Sequence, residues 1–202
     1  MAAASGTCPV VVGPTAVGKT DLVTGLAARL PLEVISLDSR QIYRGLRIGT
    51  AQPTAAEQAA CPPHLVDFVD PDEAYSAQRF RDDFLRIHGE ITARGGLPLL
   101  VGGAGMYLTA VAEGFMAIPG HSAARLAEVR AELADCDDRA IRRRLAAADR
   151  KAHDRIHPRD RRRSQRALEI FLVSGRTVTE LQEMQRADPA AGLGFPTFVL
   201  ER

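Results

Sequence analysis

Apolar positions form short continuous runs in the first half of the chain and recur at helical spacing in the second. Cys8 to Val12 is a run of strand length that ends at Gly13, as a buried parallel strand does. Lys19 to Leu30 places Leu22, Val23, Leu26, Ala27 and Leu30 on one helical stripe, and Pro31 stops it. Glu33 to Leu37 reads as a second strand and His64 to Val69 as a third. Ser76 caps a predicted helix to about Arg94, with Phe80, Phe84, Ile87 and Ile91 on its apolar face. Gly95-Gly96 ends that helix, Leu97 to Val101 is a further buried strand, and Gly102-Gly103-Ala104-Gly105 turns into a helix carrying Tyr107, Leu108 and Val111. Strands alternating with helices predict an α/β sheet, mostly parallel and flanked by helices.

After Gly120 the texture changes. Ser122 to Leu133, Arg139 to Ala147, Arg159 to Val173 and Thr177 to Arg186 all carry helical spacing, and the next strand-like run is Phe195 to Leu200. The pattern predicts an α/β core over residues 1–117, an all-helical insertion over 118–190, and a return toward the core over 191–202.

Composition leaves this picture in place: 46% hydrophobic and 25% charged residues are ordinary globular values. No apolar run approaches the roughly 20 residues that span a bilayer, and the first seven residues lack the basic stretch of a signal peptide. Cys8, Cys61 and Cys136 are widely spaced with no Cys-x-x-Cys pair, which predicts reduced thiols and a cytoplasmic protein. The five histidines form no metal-spaced set. Charge does change the picture. The net charge is +1, yet Arg139 to Arg166 holds twelve Lys/Arg against Asp149, Asp154 and Asp160, or +9, leaving −8 elsewhere. Such a block suits either a polyanion contact or a solvated arginine-rich surface.

The sharpest chemical signal is Gly13-Pro14-Thr15-Ala16-Val17-Gly18-Lys19-Thr20, a Gly-x-x-x-x-Gly-Lys-Thr phosphate loop between a strand and a helix. It predicts a P-loop NTPase-like core. Backbone N–H groups and the helix N-terminus favour phosphate oxygens. Lys19 supplies a mobile cation and the Thr20 hydroxyl can ligate Mg2+. The strand Leu97 to Val101 ends in glycines and offers no acid. Asp38, at the end of Val34 to Leu37, is the available carboxylate. It opens the polar cluster Asp38-Ser39-Arg40-Gln41, where a second substrate of an open α/β sheet would sit. Asp38 there suits a general base, a magnesium partner or a helix cap. Tyr43 and Tyr107 suit stacking platforms or core packing.

Several segments in order resemble the tRNA dimethylallyltransferase (IPP transferase) family: the phosphate loop, Asp38-Ser39-Arg40-Gln41-Ile42-Tyr43-Arg44-Gly45, Ile48-Gly49-Thr50-Ala51-Gln52-Pro53, Tyr75-Ser76-Ala77 with Phe80, Pro98 to Gly103, Arg155-Ile156-His157-Pro158 and Arg166-Ala167-Leu168-Glu169. The resemblance implies transfer of a dimethylallyl group from dimethylallyl diphosphate to the N6 amine of an adenosine beside the anticodon of tRNA. Residues 13–20 would hold the diphosphate, with Mg2+ near Thr20 and Lys19 facing the leaving group. Asp38 would take the amine proton, and Ser39, Arg40 and Gln41 would help seat the base. The helical insertion would grip the anticodon stem-loop through Arg162, Arg163, Ser164, Gln165 and Arg166, and through Arg125 where it is not simply solvated. The enzyme would act as a monomer with no membrane partner. Two departures stand out: Ala104 occupies a position near the tRNA substrate where the family usually has threonine, and the family's chains continue beyond the equivalent of Arg202. An adenylate isopentenyltransferase, a P-loop small-molecule kinase and an inactive tRNA-binding homologue are the alternatives.

Overall fold

The computed structural model describes residues 6–114, 118, 122–186 and 192–201. Two compact units divide the chain, Met1–Phe115 with Pro189–Arg202 and Met116–Asp188. The boundary expected at 190–191 and His121 lie outside the described residues.

The described part of the first unit is built on five parallel strands: β1 (Val10–Val12), β2 (Leu32–Leu37), β3 (Pro63–His64), β4 (Leu97–Gly102) and β5 (Thr197–Val199). Their order is β3-β2-β4-β1-β5. The longest ladder runs from Leu32 opposite Leu97 to Leu37 opposite Gly102. Alternation along each strand feeds two cores. Val10, Ile35, Leu37 and Leu100 face a cluster with Phe80, Phe84 and Tyr107, while Val11, Val34 and Leu99 face one with Val23 and Cys61. Helices α1 (Lys19–Ala27) and α2 (Ala55–Ala60) belong to the second face, and α3 (Ala77–Ala93) and α4 (Gly105–Ala112) to the first. A sheet apolar on both faces has to be covered on both, which is why its strands read as continuous hydrophobic runs. The α/β expectation is met.

The expected strand over His64 to Val69 is corrected. Only Pro63 and His64 pair with β2, because Leu65 and Asp67 adopt left-handed backbone (φ 62° and 57°) and take the chain out of the sheet. Val69 instead bridges Tyr43. Helix α2 is additional to the expectations; Thr54 and Glu57 form a full capping box at its start. Cys8 lies just outside β1 but still donates its N–H to Gly194.

Glu33 on β2, His64 on β3 and Arg94 after α3 lock the edge of this sheet together. Glu33 accepts from Arg94 Nε at 2.7 Å and from a second guanidinium nitrogen, and pairs with His64 at 2.8 Å. The Arg94 guanidinium first, then His64, hold the Glu33 carboxyl down at about 2 against the opposing effect of burial. A depressed carboxylate stabilises the fold above its usual 4.5 and loses that contribution as pH falls toward about 2. Acid unfolding should therefore show wild type more stable than Glu33→Gln at pH 6. The gap should close between pH 4.5 and about pH 2; a gap that does not change with pH would discard the linkage.

The described part of the second unit holds five helices: α5 (Ala123–Ala134), α6 (Asp138–Ala148), α7 (Arg150–Arg155), α8 (Arg161–Ser174) and α9 (Val178–Arg186). Val129 and Leu133 of α5, Ile141 of α6 and Leu168 of α8 close its core. The short α7 is additional to the sequence expectation. Asp149, 5% exposed, caps it by accepting from Ala152 N–H, and also accepts from the Thr179 N–H and hydroxyl, joining α7 to α9.

Candidate functional site

The loop after β1 is shaped by close approach and by left-handed backbone. A side chain at Gly13 would put its Cβ 2.6 Å from the Leu200 carbonyl oxygen, so only glycine lets the loop back onto β5. Ala16 and Gly18 have φ 64° and 99°. Gly18 precedes α1 with no side-chain cap, leaving the first-turn N–H groups of that helix directed at the loop. The Lys19 ammonium donates to Gly13 O at 2.9 Å and to Pro14 O at 2.8 Å, which ties its charge across the loop. Thr20 and Asp21 follow on the exposed first turn.

The end of β2 meets this loop across the sheet. Asp38 Oδ1 accepts from Arg40 N–H (2.8 Å) and Gln41 N–H (3.2 Å), an Asx turn that fixes the carboxylate. Its other oxygen makes no hydrogen bond to the described residues. Gln41 then pins the following loop. It accepts from Ser36 Oγ at 3.2 Å and donates to Thr50 O and Ala51 O, while Gln52 donates to Gln41 O and Tyr43 O. Gln41 is thus spent on intramolecular bonds, and Gln52, which the sequence marks only as part of a family-like segment, supports it. Gly102 fits only as glycine, since a Cβ would lie 2.2 Å from Leu37 O. Gly103 and Ala104 both donate their N–H to that same carbonyl, drawing the turn after β4 across the end of β2. Ala104 begins α4 without a side-chain cap.

These segments enclose a cleft of about 440 Å³. Thr15, Ala16, Gly18, Lys19, Thr20 and Asp38 line its polar side, and Val23, Val34, Pro53, Cys61 and Val101 form an apolar wall. Gln41 and Gly103 also reach it, whereas Ser39 and Arg40 are exposed and do not line it. Burial pushes the Cys61 thiol up, so this wall is uncharged. The Thr54 hydroxyl holds Glu57, a further lining residue, below the usual carboxylate range. Tyr107 is a core residue: it is 3% exposed, stacks on Phe80 at 4.4 Å, and burial lifts its hydroxyl to about 12. Among the described residues no three His, Cys, Asp or Glu side chains converge as a metal cage.

In the helical unit the basic block is largely spoken for. Arg144 pairs with Glu132, Arg150 with Asp154, Lys151 with Glu183 and Arg161 with Asp138. Arg142 is an internal staple, donating to Ile156 O, His153 O and Ser164 Oγ. Ser164 is therefore a correction to the expected RNA contacts: it is 0% exposed and lies under the arginines, where RNA cannot touch it. Arg162, Arg163 and Arg166 are exposed, and Arg162 makes no hydrogen bond or ion pair among the described residues. Arg125 is exposed on α5 and paired with Glu128.

β1 lies between β4 and β5, so the connections from β1 and β4 diverge and open a crevice at their carboxyl ends, where such sheets take their ligands. A glycine- and lysine-bearing loop that opens a helix at this point makes the chain a P-loop protein. Within that class, a family model described as IPP transferase matches residues 41–201, and one described as Isopentenyl transferase matches residues 7–61. The chain belongs to the IPP transferase family.

Its relatives include the tRNA dimethylallyltransferases of Paraburkholderia phytofirmans (46% identical, covering 96% of this chain and 62% of the relative) and Alkalilimnicola ehrlichii (48%, covering 90% and 58%). Among solved structures it is similar to a eukaryotic dimethylallyltransferase acting on tRNA, with a TM-score of 0.78 at 29% identity, over 96% of this chain and 48% of that one. The tRNA isopentenylpyrophosphate transferase of Bacillus halodurans is 44% identical with a TM-score of 0.54, over 84% and 56%. The chain spans about 62% of the first of these relatives. No helix among the described residues is long and apolar enough to cross a membrane.

Proposed function

We propose that this chain carries the diphosphate site and catalytic base of a cytoplasmic enzyme that moves a dimethylallyl group from dimethylallyl diphosphate to the N6 amine of an adenosine beside the tRNA anticodon. The observation that carries this reading is that Asp38 lines the same cleft as the phosphate loop, with an apolar wall beside them. A phosphate loop alone suits any nucleotide, but a prenyl diphosphate also needs an apolar surface for its hydrocarbon, and Val34, Cys61 and Val101 supply one. The names of the relatives point the same way.

In the proposed reaction the N6 nitrogen bonds to the allylic carbon as the carbon–oxygen bond to diphosphate breaks. The nitrogen loses a proton to Asp38, and the electron pair leaves on the diphosphate. The N–H groups of residues 15–20 and the Lys19 ammonium stabilise the departing charge. The donor set fits Mg2+, which keeps several waters and binds through one or two protein oxygens and the substrate's phosphates. Thr20, through its hydroxyl, would hold it together with the substrate's phosphates, and it would neutralise the leaving group. Base flipping brings the adenine to a carboxylate that the stacked base could not reach.

Incubation of the protein with labelled dimethylallyl diphosphate, Mg2+ and total tRNA, followed by nucleoside analysis, tests the reading. Label on N6-modified adenosine is the expected result. Label on free adenylate would move the chain to the mononucleotide-modifying class. ATP-dependent phosphorylation without prenyl transfer would make it a kinase.

A further inference from the structure

Two described arginines of the helical unit share a carboxylate that lies buried beneath them. Glu169 on α8 is 6% exposed at its side chain, and three donors converge on it: Gln165 Nε2 at 3.1 Å, Arg166 Nη1 at 3.2 Å and Arg130 Nε at 3.6 Å. Gln165 and Arg166 sit one turn back on the same helix, whereas Arg130 comes from α5. Arg130 is brought in by its neighbour Val129, which is 0% exposed in the core that α5 and α8 share with Leu168. The two guanidiniums stay accessible, at 57% for Arg130 and 44% for Arg166. Each uses one nitrogen on Glu169 and keeps further N–H donors outward. They line one groove of about 570 Å³ with Arg162, one turn ahead of Arg166, and with Arg161.

We propose that Glu169 is a positioning residue that sets Arg166, Gln165 and Arg130 as a single rim for RNA phosphate, with Arg130 a contact that the sequence gives no sign of. This rests on the reading of the helical unit as the RNA-binding part. A buried carboxylate is costly unless its partners are well placed, so it holds them in one arrangement. An exposed i,i+3 or i,i+4 pair holds its arginine only loosely. An arginine fixed in advance loses less freedom when it meets a phosphate. The same carboxylate also opposes a polyanion by simple charge. Positioning and net charge therefore predict effects of opposite sign for its removal, and that makes the proposal decidable.

The experiment is the affinity for an anticodon stem-loop RNA across a salt series, with a thermal melt of each variant. Glu169→Gln keeps the shape and removes one negative charge from the groove. It should nevertheless weaken binding by about three- to tenfold, with a log–log salt slope flattened by up to about 0.7 for each phosphate no longer neutralised. In an Arg166→Gln background the same change should have a smaller effect. Unchanged or tighter binding of a folded Glu169→Gln overturns the positioning role. Arg130→Gln, at an exposed position of α5 and with its fold checked by the same melt, should also weaken binding by about three- to tenfold. No effect there overturns the rim even if Glu169→Gln does not fold. Arg162→Gln/Arg166→Gln separates the two levels. If that double variant binds RNA like wild type, the RNA-contact reading itself fails. If it binds weakly while Glu169→Gln and Arg130→Gln do not, only the positioning proposal fails.

Discussion

Asp38→Asn should slow prenyl transfer by about 10²–10⁴-fold, the contribution typical of a positioned general base, while leaving diphosphate and RNA affinity near wild type. The substitution is clean because of how the carboxylate is held. Oδ1 accepts the Arg40 and Gln41 N–H groups, and an asparagine carbonyl oxygen can accept the same two. The turn at the end of β2 therefore survives. What changes is the other oxygen, the one without a hydrogen bond to the described residues, which becomes an NH₂ group that donates and cannot take a proton. Single-turnover rates with tRNA, alongside calorimetric binding of inorganic diphosphate, make the measurement. Near wild-type turnover would remove Asp38 from the base role; equal loss of rate and of diphosphate affinity would make it a magnesium partner instead.

Lys19→Ala should lower the affinity for dimethylallyl diphosphate by about 10- to 100-fold, the worth of a hydrogen bond to a charged group. It should slow transfer further, because the leaving group gains charge as it departs. The fold should hold, since Lys19 packs against no core cluster and its two bonds go to the loop carbonyls of Gly13 and Pro14. Titration calorimetry with dimethylallyl diphosphate reads the first effect, and a thermal melt within about a degree or two of wild type confirms the second. Equal affinity in the two proteins would show that the phosphates bind elsewhere.

Both residues could be picked out from the sequence because their chemistry sits next to a strand end that hydrophobic runs mark plainly. The same logic misread His64 to Val69. That segment is apolar and of strand length, but its hydrophobic run does not announce left-handed backbone at Leu65 and Asp67. Helix α2 was missed for the opposite reason: Ala-Ala-Glu-Gln-Ala-Ala has no apolar stripe, and only the Thr54/Glu57 capping box betrays it. Within the cleft, the loop and Asp38 were legible, whereas Cys61 and Val34 joined it only through the packing of β2, β3 and α2. Ser164 shows the limit of motif reading in the helical unit. It falls between exposed arginines in sequence, yet the 3.6-residue period turns it inward onto Arg142. Arg130 acts through a partner on a helix distant in sequence, which no local pattern encodes.

The backing of Gly13 on Leu200 has a consequence for the order of synthesis. Val12 pairs with Val199, so the strand that launches the phosphate loop gains its second neighbour only after the whole helical unit has been made. At about 5–20 residues per second the ribosome leaves that side of β1 open for roughly ten to forty seconds. An open parallel edge bearing valines invites pairing with the wrong strand. The intervening helices, whose contacts are local, can meanwhile form. A nascent chain would thus acquire its arginine-rich helices before its phosphate loop gains a backing. A translational pause in the last stretch before Thr197 would lengthen the interval in which the half-made sheet is exposed.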